Sequence, residues 1–334
     1  MAGGPSTVPL AAAVSEVGGL GFLATGYRTA DAVTEDLAAL KIATSRPFGL
    51  NVFVPSGAPA DPEAVQAYAQ RLAAAGLPAG EARFDDDAFE EKVALLARAR
   101  PAVVSFAFGL PPAAAVAELQ EAGIAVWITV TTPAEAAAAA EAGADALVAQ
   151  GAEAGGHRGG FDGGEPGDLG LLALLQLCET AAEGVPLVAT GGIMTGRAIA
   201  AVLAAGAAAA ALGTAFMRAP EAGTPAAQRT ALASDRPTAI TRAFTGRPAR
   251  GIVNAFMRDH DGAAPVAYPE VHHLTSPARA AARERGDAEG FNLWAGQAHG
   301  LATAEPAGAL VERLAADARA ALSEATAAAA RGGT

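Results

Sequence analysis

The 334-residue chain predicts a parallel α/β fold, and three observations predict it. Short apolar runs alternate with alanine-rich stretches of helical periodicity, at a steady spacing, as far as Phe216. Gly76, Gly123, Gly143, Gly184 and Gly206 each fall just past a helical stretch, where a left-handed residue closes a helix. Pro112 and Pro133 stand at first-turn positions, where the missing N–H leaves nothing unpaired. Strand followed by helix, repeated, means parallel strands with helices covering the sheet.

Taken in order, a glycine loop leads to a helix over 9–17 and a strand over 19–25. A helix over 30–43 precedes the apolar strand 48–54. Two helical patterns, 62–75 ending at Gly76 and 86–99, precede the strand 103–108. The units 112–122 with 125–130 and 133–142 with 146–150 each carry a proline at the helix start and a glycine after its end. A leucine-rich helix over 169–182 leads to strand 186–190, and a helix over 196–205 leads to strand 208–213. That makes seven strands. Eight units close a (β/α)8 barrel, whereas seven suit a doubly wound sheet. A series that starts on a helix implies a strand before it, so an eighth strand is expected upstream of Met1 or missing from this start site. The segment Gly19-Leu-Gly21-Phe-Leu-Ala24 superficially matches a dinucleotide fingerprint. Its glycines follow a helix and open a strand, the reverse of what that motif requires.

After Phe216 the pattern changes. Residues 217–300 hold helical pieces, prolines and most of the remaining aromatic and histidine residues, which predicts an appended, mostly helical subdomain. The stretch 307–330, with Leu310, Leu314 and Leu322 in register, predicts a final helix packing back on the rest, and 332–334 a frayed tail. The expected division is therefore 1–216, 217–300 and 301–334.

A hydrophobic content of 51% excludes disorder, and much of it is alanine, which packs helices tightly and gives little membrane affinity. The formal charge of −12 argues against nucleic acid or an anionic membrane as partner. The single cysteine, Cys178, excludes an internal disulfide, fits a reducing compartment and sits on a leucine-rich helix as a core thiol. The first 26 residues lack a basic start and are interrupted by glycines, so they do not read as a signal peptide, and no run of about 18 apolar residues without breakers reads as a membrane span. A cytoplasmic protein is expected.

Three constellations carry chemistry. The first is Gln150-Gly-Ala-Glu-Ala-Gly-Gly-His-Arg-Gly-Gly160, which follows the apolar run 146–149. Gly155, Gly156, Gly159 and Gly160 clear the space around His157, so backbone can approach a bound molecule closely. Glu153 is expected to orient this loop by accepting backbone N–H groups, and Arg158 is either a surface or an ion-pairing residue. The second is Gly191-Gly192 at the end of one strand. The third is Leu212-Gly213-Thr214 at the end of the next. In barrels these two strand ends carry a recurrent phosphate site built from backbone N–H groups. The pair His272-His273, with Glu270 nearby, lacks the spacing of a zinc or iron site, so no metal is expected. His299, next to Gly300, stands in a late loop whose orientation the sequence leaves open.

Several segments in order resemble the nitronate monooxygenase family, once called 2-nitropropane dioxygenase. They are Met1-Ala-Gly-Gly-Pro-Ser-Thr, Ser15-Glu-Val-Gly-Gly-Leu-Gly21, Phe48-Gly-Leu-Asn-Val-Phe-Val54, Glu153-Ala-Gly-Gly-His157, Gly191-Gly-Ile and Leu212-Gly-Thr214. The resemblance covers nearly the whole chain and implies an FMN-dependent TIM barrel in which Met1 falls inside the first loop. It implies that Asn51 and Gln150 reach toward the flavin ring. It places Gly155, Gly156, Gly191, Gly192 and the segment Ala211, Leu212, Gly213, Thr214 around FMN, with Leu212 and Ala211 contributing backbone only. His157 resembles the catalytic histidine, and Trp294-Ala-Gly-Gln297 the late loop that returns to the flavin.

The activity so implied is oxidation of alkyl nitronates, such as propionate 3-nitronate, with O2 to nitrite and a carbonyl compound. A nitronate is an electron-rich anion, and the protein's share is to hold it, place a proton acceptor at its α-carbon and exclude water. The related alternative is an FMN-dependent NAD(P)H oxidoreductase, an enoyl-acyl-carrier-protein reductase or a quinone reductase, whose glycine and histidine loops are alike. The absence of a second glycine-rich nucleotide motif favours the first. A homodimer is compatible with either.

Overall fold

The computed structural model describes residues 1–55, 60–164 and 167–332. Helix α1 (Val8–Glu16) leads to β1 (Gly21–Ala24), α2 (Ala30–Ala43) to β2 (Phe48–Phe53), and α3 (Pro62–Ala74) with α4 (Phe89–Ala99) to β3 (Val103–Ala107). The alternation continues through α5 (Ala113–Glu121), β4 (Ala125–Val130), α6 (Pro133–Glu141) and β5 (Ala146–Gln150). A two-residue strand, β6 (Gly156–His157), steps out of it. The series resumes with α7 (Leu171–Ala181), β7 (Leu187–Thr190), α8 (Gly196–Ala204) and β8 (Ala209–Ala211).

The helices start where threonines cap them. The side chains of Thr7, Thr29, Thr132 and Thr195 accept the N–H groups of Leu10, Ala32, Glu135 and Ala198, satisfying donors that the first turn leaves over. Pro133 occupies the first turn as predicted, whereas Pro112 stands one step earlier, as the cap of α5. The five predicted closing glycines all have positive φ, between 71° at Gly76 and 97° at Gly206.

Strands β1, β2, β3, β4, β5, β7 and β8 form one parallel sheet in that order. The order never reverses, and a doubly wound sheet needs a reversal, so this is barrel architecture. Curling brings Phe22 of β1 against Trp127 of β4, with ring centroids 5.7 Å apart. The sheet is open between β8 and β1, its two edges. Its core packs Leu50, Val104, Phe106, Ile128 and Leu147, at 1% exposure or less, beneath Leu40, Leu96, Leu119 and Leu174 of the helices. Each such side chain stabilises the fold by about 1.5–3 kcal/mol relative to exposure.

Beyond β8 the chain forms α9 (Ala226–Leu232), β9 (Thr238–Thr241), β10 (Ala249–Ile252), α10 (Ala255–His260), α11 (Glu270–Glu284) and α12 (Ala307–Gly332). The two strands are absent from the sequence reading of 217–300. All four residues of β10, Ala-Arg-Gly-Ile, are buried, so no polar–apolar alternation marks it. β10 pairs antiparallel with β9 on one side and with β6 on the other, which ties this segment to the His157 loop. Helix α12 lies on α8 and α1 and buries Leu310 and Leu314, while Leu322 is half-buried. Gly333 and Thr334 of the predicted tail lie outside the described residues. Among the described residues no helix is long and apolar enough to cross a membrane.

Candidate active site

The chain leaves β5 at Gln150, and that residue closes the next nine into a ring. Its Nε2 donates to the His157 carbonyl at 3.1 Å, and the Gly159 N–H donates to its Oε1 at 2.9 Å. Arg158 is buried, not a surface residue. Its guanidinium donates to the carbonyls of Gly151 at 2.6 Å and Gln150 at 3.2 Å. Glu153 accepts the Leu171 N–H at 3.0 Å, supplying the cap that Gly170 cannot, so it orients the loop as expected. Register with β10 then fixes the backbone at His157, opposite Ala249.

The imidazole of His157 stands among aromatic rings. Trp294, Phe108 and Tyr268 have centroids 5.4, 5.6 and 5.9 Å from it, and Nε2 lies 2.9 Å from Thr245 Oγ1. The residue is half-buried by area, yet protein surrounds the ring. Burial, then the charges of Arg247 and Arg279, push its pKa down to about 3, so the imidazole is neutral. Next to it Tyr27 stacks on His272, with centroids 4.1 Å apart and planes 3° from parallel, and the Tyr268 hydroxyl donates to that of Tyr27 at 3.2 Å. Burial and then Arg279 hold His272 neutral as well. Tyr27 and Phe108 adopt φ of 65° and 80°, a region costly for bulky residues, and both line this pocket.

Two guanidiniums lie underneath. Arg247, 2% exposed, donates from Nε to the Arg158 carbonyl at 3.0 Å and from a terminal nitrogen to that of Gly160. Its Cζ sits 4.3 Å from the Phe108 centroid. Arg279 donates to the His272 carbonyl at 2.7 Å and to its Nδ1 at 3.3 Å. Among the described residues neither has a carboxylate within 4.0 Å. Burial lowers both pKa values to about 10, which leaves both guanidiniums charged at neutral pH.

The glycine turns converge beside this loop. Gly191 and Gly192 have φ of 121° and 67°, and a side chain on Gly191 would meet the backbone of Gly151 and Ala154 at 3.3 Å. Thr190 Oγ1 donates to the Ala211 carbonyl at 2.9 Å, joining the ends of β7 and β8. Gly213 precedes the 3-10 turn Thr214–Phe216, and Thr214 Oγ1 accepts the Gly296 N–H at 3.0 Å. The Gln297 N–H donates to the Glu153 carbonyl at 3.0 Å. At Gly155 a Cβ would lie 2.4 Å from the backbone of Ala295 and Gly296, so only glycine admits this late loop. Gly155, Gly191, Gly192, Ala211, Leu212, Gly213, Thr214 and Gln297 thus form one knot. Gly156 faces open space, and the side chain of Gln297 is exposed. Asn51 stands apart, on β2, donating from Nδ2 to the carbonyl and hydroxyl of Ser105 at 3.1 and 3.0 Å.

Other singled-out residues lie elsewhere. His273 faces Asp85 at 3.4 Å, and both ring nitrogens of His299 face carbonyls, of Leu232 at 3.1 Å and Arg236 at 2.9 Å. His299 bridges backbone, in a buried position. Cys178 is buried in the core, and burial raises its pKa to about 11, which makes it unreactive. Sequence reasoning missed Tyr27, Phe108, Thr245, Arg247 and Arg279. Tyrosine is rare here, at three residues, and that rarity was the one signal for Tyr27; the others carried none.

A parallel barrel with an enclosed neutral imidazole at the carboxyl ends of its strands defines an α/β-barrel enzyme. The nitronate monooxygenase family profile matches residues 1–317, and the chain belongs to that family of oxidoreductases. It is 42% identical to a nitronate monooxygenase of Pseudomonas aeruginosa, over 93% of this chain and 92% of that one. Against one of Paraburkholderia phytofirmans the identity is 41%, over 93% and 88%. Among solved structures, a nitroalkane oxidase of Streptomyces ansochromogenes superposes with a TM-score of 0.93 at 49% identity, over 97% of this chain and 95% of that one. FabK of Thermotoga maritima superposes with a TM-score of 0.77 at 27% identity, over 100% and 94%.

Proposed function

We propose that this enzyme oxidises alkyl nitronates, propionate 3-nitronate being a representative, with O2 to nitrite and a carbonyl compound, and that its cofactor is FMN. The observation that carries this reading is the neutral, ring-walled imidazole of His157 near two buried guanidiniums, neither with a carboxylate within 4.0 Å among the described residues. Such a pocket favours an anion over a neutral molecule.

The residues fit a phosphate-bearing flavin. Gly191 and Gly192, at positive φ, leave the end of β7 without side chains, and Gly213 does the same after β8. These, with Thr214 and the backbone of Ala211 and Leu212, are proposed to hold the phosphate. Gly155 and Gly156 keep the loop low against the ring system, Asn51 and Gln150 border the ring, and Gln297 closes the late loop over it. Gln150 does so mainly by positioning, since both ends of its amide hold the His157 loop. When bound, FMN takes electrons from the nitronate and passes them to O2.

The chain's own groups do the rest. His157, neutral, removes the α-proton of a nitroalkane or hydrogen-bonds a nitronate oxygen. Phe108, Tyr268 and Trp294 keep water from the reacting carbon, and Arg247 and Arg279 offset the negative charge. Segment 217–300 acts as the lid over the 1–216 barrel, and 301–334 packs back on that barrel through α8 and α1. The setting proposed is cytoplasmic, with a homodimer as the assembly to test. Anaerobic mixing decides between substrates: a small nitronate is expected to bleach the flavin absorbance. Rapid bleaching by NADH with none by the nitronate would overturn this reading in favour of an NAD(P)H oxidoreductase.

A further inference from the structure

Thr245 is 2% exposed and sits in the turn before β10, where its Oγ1 meets three groups. Arg247 N–H approaches it at 3.5 Å, the Arg247 carbonyl lies 3.3 Å away, and His157 Nε2 lies at 2.9 Å. A hydroxyl has one proton to donate and two lone pairs to accept with. The carbonyl can only accept, so it takes the hydroxyl proton. The Arg247 N–H can only donate, so it takes one lone pair. What remains for His157 is the second lone pair, and a nitrogen facing a lone pair must itself carry hydrogen. The opposite assignment, with the hydroxyl donating to Nε2, takes that proton from the buried Arg247 carbonyl, at the desolvation cost of an unmet acceptor.

We infer that Thr245 is a positioning residue that fixes His157 as the Nε2–H tautomer, so that Nδ1 is the basic atom. The inference rests on the proposed function for its consequence. The α-C–H bond of a neutral nitroalkane breaks, its electron pair enters the C–N bond and charge moves to the nitro oxygens. The proton forms a bond to Nδ1, and the resulting imidazolium keeps its Nε2–H on Thr245. Burial and two guanidiniums oppose that cation, so it forms only as the nitronate's negative charge forms beside it. Among the described residues no hydrogen bond engages Nδ1, which leaves that edge of the ring to the substrate.

The test is the long-range proton–nitrogen spectrum of the oxidised holoenzyme labelled at histidine, with His157 assigned by its loss in His157→Asn. Wild type and Thr245→Ser are expected to show a protonated-type Nε2 and a bare Nδ1. Thr245→Val, which keeps the shape and removes the lone pair, is expected to lose that single tautomer. Its kcat/KM on a neutral nitroalkane is expected to fall about tenfold or more, with Thr245→Ser recovering most of it. A protonated Nδ1 in wild type, or an unchanged tautomer in Thr245→Val, overturns the inference. The spectrum reports on Thr245 whatever the substrate, so failure of the nitronate reading shows separately, in the anaerobic bleaching.

Discussion

At the scale of single residues the site depends on keeping charge off an imidazole. His157→Asn should retain flavin yet lose turnover of neutral nitroalkanes by about 10²–10⁴-fold, because the amide preserves polarity and removes the base. Unchanged nitrite release would remove that role. The depressed pKa also makes a stability statement. The unfolded chain binds a proton at His157 near pH 6.5, and the folded chain does so only near pH 3. Stability from this group is therefore complete above about pH 6.5 and is lost as pH falls toward 3. His260, His272 and His273 are shifted in the same direction, mainly by burial, and add to the slope. Urea midpoints of wild type and His157→Gln should converge as pH drops through that window; parallel curves would contradict the shift.

At the scale of elements the site depends on backbone packing against backbone. Gly155→Ala places a methyl 2.4 Å from the Ala295–Gly296 peptide, with no flexible side chain to give way. It should cost about 1–3 kcal/mol, read from denaturant unfolding, and loosen the late loop. Gly213→Val is a different case. Its φ of −108° suits valine, and its nearest neighbour is the Met1 side chain at 3.5 Å, so the fold should tolerate it. Flavin affinity should instead fall about tenfold or more, measured by titration of the apoprotein; stoichiometric flavin after purification would count against a phosphate site there. The barrel elements were legible because each strand is a short apolar run and each helix carries its own cap. Strand β10 was not, since it pairs with β6 on a segment distant in sequence and all four of its residues are buried, which leaves no local period; β9 forms only by pairing with β10.

At the scale of the whole molecule the candidate site joins three parts of the chain. The loop after β5, the turns after β7 and β8, and the segment Trp294–Gln297 hydrogen-bond to one another, while β10 grips the histidine strand. A cofactor lodged there stabilises the barrel and the 217–300 segment together. Adding FMN to apoprotein at 100-fold over its Kd should stabilise by about 2.7 kcal/mol, raising a single thermal transition. Two transitions, with only one moved by FMN, would show that the parts are not coupled.

The sequence by itself determined the alternation of parallel strands with helices, the glycine-framed histidine and the paired glycine turns, while the order of the strands came from the structure. Each is a local pattern: an apolar period, a cap, a residue without a side chain where backbone must pass. Tertiary structure alone decided what surrounds that histidine. Thr245 and Tyr268 meet it from distant positions, the charges of Arg247 and Arg279 act on it, and no short-range rule places a threonine hydroxyl against an imidazole. Arg158 shows the same division from the other side. The sequence left it as either a surface or an ion-pairing residue, and closure of the Gln150 ring buries its guanidinium against carbonyls, because a buried backbone acceptor must find a donor.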